Sequence, residues 1–139
     1  MPVISRTAKD MIGNMAPVLR DGEYVFISTP DDELGQSLAP NAVATYREDE
    51  GMSLILPESI AQGAGFDAAN PMRCITLKVY SALDDVGLTA AVAGALAGQG
   101  IPCNMVAAYH HDHVFVPSDR ADEAMQILIA LQNEVAGGG

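Results

Sequence analysis

Residues 73–117, RCITLKVYSALDDVGLTAAVAGALAGQGIPCNMVAAYHHDHVFVP, carry two hydrophobic periods in succession. That switch of period restricts the fold more than any other feature. Ile75, Leu77 and Val79 alternate with Thr76, Lys78 and Tyr80, which predicts a strand covered on one face. Leu88, Ala91, Val92, Ala95 and Leu96 then recur at the spacing of an amphipathic helix. Asp84 or Asp85 can cap its start, and Gly98 or Gly100 can end it. IPCNMVAAY and HVFVP read as two more strands joined by a tight hairpin. Ser118 or Asp119 opens a last helix with Ala124, Ile127, Leu128, Leu131 and Val135 on one side, and the Gly-rich end reads as a frayed tail. Strand, helix, hairpin and helix in so few residues cannot wind a large parallel sheet. They suit an α+β, ferredoxin-like arrangement: a small antiparallel sheet with helices on one face.

The first half is less regular. Met11, Met15 and Val18 or Leu19 are spaced helically, with Pro17 bending or restarting the helix. EYVFIS predicts a strand. NAVATYRED and MSLILP predict two more, joined by a turn at Glu50-Gly51, and ESIAQGAG is good for one or two helical turns. STPDDELG follows its strand much as SALDDVG follows the strand ending at Tyr80. No apolar pattern of helix length comes after it, so its helix is expected to be lost or supplied by residues 8–20. The Gly, Pro and Asn of GFDAANPM, residues 65–72, read as a linker. Two units follow, 1–70 and 71–139, each too small to be stable without packing on the other.

Charge and apolar content exclude several functions. Eighteen acidic residues against seven Lys and Arg give a net charge of −11. That disfavours nucleic acid and anionic membrane surfaces, both of which need clustered cations. No apolar run reaches membrane-spanning length, and the N-terminus lacks the apolar stretch of a signal peptide, so a cytoplasmic location is expected. Cys74 and Cys103 match no ligand spacing and read as small buried hydrophobes.

All three histidines fall in one stretch, His110, His111 and His113, with Asp112 between. In extended chain His111 and His113 point one way, His110 and Asp112 the other. They cannot all reach one metal ion, and a His111–His113 pair would need a ligand from elsewhere. Polar turn residues are the first reading, a ligand contact through Asp112 the second, a metal site the third.

LDDVG and GIPCNMVAAY resemble the turn and second strand of the ACT domain, a βαββαβ amino-acid-binding module. Tyr24–Phe26 (YVF), Glu50–Leu56 (EGMSLIL), Val86–Ala90 (VGLTA) and His111–Pro117 (HDHVFVP) stand in the order of the small tandem-ACT proteins. The resemblance covers 73–135 well and 9–70 weakly. Val86 stands where the family has Pro, and the first unit lacks the turn motif. The resemblance implies two tandem ferredoxin-like ACT units and a regulatory protein with no cofactor. It also implies an amino acid bound between ACT units, a homodimer and a regulated partner protein. The ligand positions it implies are Asp84, Val86, Gly87 and Leu88 at the turn, Ser53 and Leu54 on a partner strand, and Asn104, Ala108 and Asp112 on the second-to-third-strand hairpin. Two other readings stand beside it: an interaction module with no ligand, and a small enzyme using Asp112 with His111, or Asp84 with Asp85, as acid–base groups.

Overall fold

The computed structural model describes residues 8–78 and 87–137. In chain order its elements are α1 (Ala8–Gly13), β1 (Pro17–Leu19), β2 (Tyr24–Thr29), α2 (Asp32–Leu38), β3 (Ala44–Glu48), β4 (Gly51–Pro57), α3 (Glu58–Gly63), β5 (Met72–Leu77), α4 (Leu88–Ala97), β6 (Asn104–Ala107), β7 (Asp112–Pro117) and α5 (Ala121–Gly137). Two compact units result. One is Gly22–Met72; the other joins Met1–Asp21 to Arg73–Gly139.

In the first unit β4 pairs antiparallel with β2, from Tyr24↔Pro57 to Thr29↔Met52, and with β3, from Ala44↔Ile55 to Glu48↔Gly51. Tyr24 also pairs with Met72. Val25, Leu54 and Leu56 alternate onto one face of this sheet. Leu38 and Ala61, from the two helices, close the core over it.

In the second unit the strand order is β1-β5-β7-β6. β1 pairs antiparallel with β5, Pro17↔Leu77 to Leu19↔Ile75, and β6 with β7, Asn104↔Phe115 to Ala107↔Asp112. Ile75, Leu77, Val114 and Val116 line the helix side of the sheet. They meet Leu88, Val92 and Leu96 of α4, Ala121, Ala124 and Leu128 of α5, and Met11, Ile12 and Met15 from the N-terminal segment. α1 lies against α5: the Gln132 side-chain amide donates to the Gly13 carbonyl at 3.3 Å.

Four expectations meet a different structure. Residues 8–20 do not stand in for a helix of the first unit. Gly13 ends α1, Ala16 has a positive φ of 40°, and Pro17–Leu19 is a strand, because proline has no N–H to continue a helix. The helix of the first unit is present as α2, directly after its strand. Seven residues are too few to show a period, and local chemistry makes it: the Asp31 carboxylate accepts from the amides of Glu33 and Leu34 at 3.1 and 3.2 Å. The first of the two expected units, 1–70, also differs from the compact unit found. Its residues up to Asp21 cluster with the second unit, whose sheet β1 extends. Finally, β5 is not covered on one face only. Cys74 and Thr76, on the other face from Ile75 and Leu77, are buried too.

Candidate functional site

β2 hands the chain to α2 at one end of the first unit's sheet. In the first unit that end is filled by its own residues. Asp31 caps α2, and its amide in turn donates to the Thr29 hydroxyl at 3.1 Å. Met52 lies on the helix at Gly35, its sulfur 3.3 Å from where a Cβ would stand. Gly51 opens β4 with φ +143°, and a Cβ there would sit 2.3 Å from the Thr29 carbonyl oxygen and 2.9 Å from the Pro30 Cα. The hairpin therefore touches the end of β2 backbone to backbone, an approach only glycine permits.

The second unit is built differently at this end. α4 begins after Gly87, at φ +108°, and a glycine brings no carboxylate to the first amides of the helix. Asp84, Asp85 and Val86, the rest of the expected turn, lie outside the described residues. The Thr76 hydroxyl and the His113 Nδ1 are 3.0 Å apart, which sets the end of β5 beside the start of β7. α4 is the next described element after β5, with Gly87 as its N-cap. The tip is closed by the Ala108 amide donating to the His111 carbonyl at 3.1 Å. Tyr109 is exposed and meets His110 edge to face, with ring centroids 5.1 Å apart. The His111 Nδ1 is buried and has no hydrogen-bond partner. Asp112 is half-buried on the side of Val114 and Val116. Burial pushes its carboxyl group above the ordinary carboxylate range, while His113 and His111 pull the other way.

His113 points to the opposite face. Burial lowers its pKa, His111 and Arg20 lower it further, and Asp112 opposes them. The folded protein therefore holds this imidazole neutral. Its contribution to stability is fully present above the ordinary histidine pKa of about 6.5 and is lost as pH falls toward the depressed folded value. Denaturant titrations at pH 7 and pH 5 are expected to show a larger acid loss in the parent than in His113→Asn. Equal losses would contradict this.

The other expected positions are placed as follows. Leu88 is buried in the core of its unit, so only its backbone can serve a ligand. Asn104 and Ala108 are exposed on the hairpin. In the other unit Leu54 is a core residue, and the Ser53 hydroxyl donates to the Glu48 carboxylate. Among the described residues no three His, Cys, Asp or Glu side chains gather as a metal site. No described helix is long and apolar enough to cross a membrane. The sequence reading missed Asp31 and Met52 as occupants of the first unit's end, and read His111 only as a turn residue, a metal partner of His113 or an acid–base group. A signal for them exists: the burial pattern of residues 51–61 repeats residue for residue at 111–121, with Pro57 and Pro117 in register. In that register Gly51 corresponds to His111, Met52 to Asp112 and Ser53 to His113.

Family models for the ACT domain match twice in tandem, over residues 7–73 and 71–130. A solved Vibrio cholerae protein of unknown function, described as a possible transport protein, is 41% identical, with 87% of this chain and 92% of that one covered and a TM-score of 0.78. The chain belongs to the ACT-domain family. Its ACT units also share their fold with an Agrobacterium tumefaciens protein, at 18% identity, TM-score 0.64, and 84% and 87% coverage. They likewise share it with the regulatory subunit of aspartate kinase from Thermus flavus, at 14% identity, TM-score 0.61, and 83% and 95% coverage. No curated protein matches the sequence. The tandem ferredoxin-like ACT architecture expected from the motifs is the one found.

Proposed function

We propose that this protein is a regulatory amino-acid sensor whose ligand binds at the first-helix end of the C-terminal ACT unit. ACT domains generally bind small amino acids, and the structural neighbours include a kinase's regulatory subunit. The observation that carries the reading is the contrast between the two helix starts. Asp31 supplies α2 with a carboxylate, whereas α4 starts at a glycine. A ligand carboxylate fits the place Asp31 fills in the other unit, since helix amides and the positive end of the dipole favour an anion there. Asp112, on the hairpin of the same unit, supplies the negative charge that the ligand's ammonium group needs. The two together select a zwitterion.

A thermal-shift screen of the twenty amino acids tests this. A ligand present at about 100 times its dissociation constant adds about 2.7 kcal/mol. Asp112→Asn is expected to weaken binding of the amino acid so found by about 10- to 150-fold, the equivalent of a charge-assisted bond of about 1.5–3 kcal/mol. Unchanged affinity in that variant removes Asp112 from the site. The reading includes a homodimer, because β6 stands at the edge of its sheet and exposed edges tend to be paired. Light scattering that reports a monomer at high micromolar concentration removes that part.

A further inference from the structure

We infer that the sheet face turned away from the helices in the C-terminal unit binds a small oxyanion, a carboxylate or a phosphate group, through Arg20, His111 and His113 above Thr76. This site is separate from the helix end proposed above and does not depend on it.

Strand registers bring these side chains together. Val18 pairs with Thr76, and Val106 with His113. The Thr76 hydroxyl and the His113 Nδ1, 3.0 Å apart, join the two pairs into one row across four strands. Arg20 lies two residues beyond Val18 and donates its amide to the Cys74 carbonyl at 2.8 Å, so its side chain has the parity of Val18. His111 stands opposite Ala108, whose amide donates to its carbonyl. The ladder of β6 and β7 thus continues to His111, and its ring shares the face of His113. His111 and Arg20 both act electrostatically on His113. Exposure rises outward: Thr76 is 5% exposed, the two imidazoles are half-buried and Arg20 is exposed.

The charge of this face is the reverse of the chain's. The chain has a net charge of −11, yet the one acid in β1, β5, β6 and β7 is Asp112, which lies on the helix side. Among the described residues Arg20 makes no salt bridge. A guanidinium and imidazole N–H groups with no carboxylate between them are donors that an oxyanion satisfies. The N-terminal unit has Gly51 and Ser53 where this one has His111 and His113, and its Glu48 carboxylate takes the Ser53 hydroxyl, so it offers an anion nothing. Binding here is linked to a proton. Burial keeps His113 neutral, with His111 and Arg20 adding to the effect and Asp112 opposing it. Cys74, and Lys78 just beyond β5, are the other titratable groups of this parity, and β6 brings none. A bound anion favours the imidazolium, so binding tightens as pH falls through its titration. The imidazolium has an N–H on each nitrogen, one for the Thr76 hydroxyl to accept and one for the anion.

NMR of the His111 and His113 rings in the full chain tests this, with sodium sulfate titrated at pH values from about 8 to about 5.5 and sodium chloride at equal ionic strength as the screening control. Sulfate is expected to saturate and to raise the midpoint of the His113 titration by about one pH unit. By linkage it then binds about 10-fold more tightly at the acid end than at the basic end. Arg20→Gln is expected to weaken sulfate at least about 10-fold. It should leave the melting temperature of the anion-free protein unchanged, because the backbone of Arg20, not its side chain, bonds to Cys74 and Arg73. His113→Asn is expected to remove the pH dependence. Acetate and inorganic phosphate, titrated in the same way, identify the oxyanion by which of them saturates at the lower concentration, and saturation by either supports the site. A merely structural His113 would titrate alike in sulfate and chloride. That result, sulfate binding as tightly to Arg20→Gln as to the parent, or equal affinity at the two ends of the pH range overturns the inference and leaves the amino-acid reading untouched.

Discussion

Gly51→Ala is expected to lower the stability of the N-terminal unit by about 3–5 kcal/mol, among the largest effects a single methyl group can have. Two costs add. The φ of +143° at this residue is a conformation that L residues rarely adopt, worth about 1–3 kcal/mol. The new Cβ would also stand 2.3 Å from the Thr29 carbonyl oxygen and 2.8 Å from its carbon. Those atoms belong to a strand paired with β4 along its whole length, so neither side can yield cheaply. The hairpin must lift, and lifting it strips Met52 from Gly35. For a chain of this size the melting temperature should fall by about 10–20 °C. Gly63→Ala is the control, since nothing lies within 4 Å of a Cβ there. If the two variants melt together, the hairpin is not held against β2 as described.

Removing the first 21 residues is expected to unfold the C-terminal unit. The segment looks peripheral in the sequence, yet Met11, Ile12 and Met15 are at most 8% exposed and sit among Leu77, Leu88 and Leu128. Burial of three such side chains is worth about 5–9 kcal/mol, an upper estimate. A whole domain has roughly 5–15 kcal/mol to lose. β5 would also lose its pairing with β1, and the Arg20 amide its bond to the Cys74 carbonyl at 2.8 Å. Amide NMR spectra of the 22–139 chain should show the dispersed signals of residues 73–137 collapsed. A peptide of residues 8–21, added in excess, should restore them. A fully dispersed spectrum without the peptide would show that α1 and β1 decorate the unit instead of completing it.

Elements whose own residues carry their stabilisation were legible in the sequence. Leu88, Val92 and Leu96 of α4 mark the buried stripe of a helix that needs no knowledge of its neighbours. The alternation of β7 placed Asp112 and His113 on opposite faces before any partner was known. α2 was missed because its core-facing leucines, Leu34 and Leu38, are too few to show a period, and because a capping carboxylate helps to stabilise it. β1 was missed because three residues have no period, and because its partner strand lies more than 50 positions away. Gly51 was legible as a turn; the reason it must be glycine lies in Thr29, which only the fold brings against it. Of the candidate site, Gly87 and Asp112 were named through the motifs that resemble the family. The contrast of Asp31 with Gly87, and of Gly51 and Met52 with His111 and Asp112, appears only when the burial patterns of the two ACT units are laid in register.

The central claim is that an amino acid binds at the first-helix end of the C-terminal ACT unit. The most direct test is an NMR titration of the full chain with the amino acid that gives the largest thermal shift, read at the backbone amides. The account predicts saturable shifts concentrated at 87–91 and 108–113, with residues 29–35 and 51–53 unmoved. Shifts concentrated at 29–35 and 51–53, or no saturable shift from any of the twenty, would contradict it.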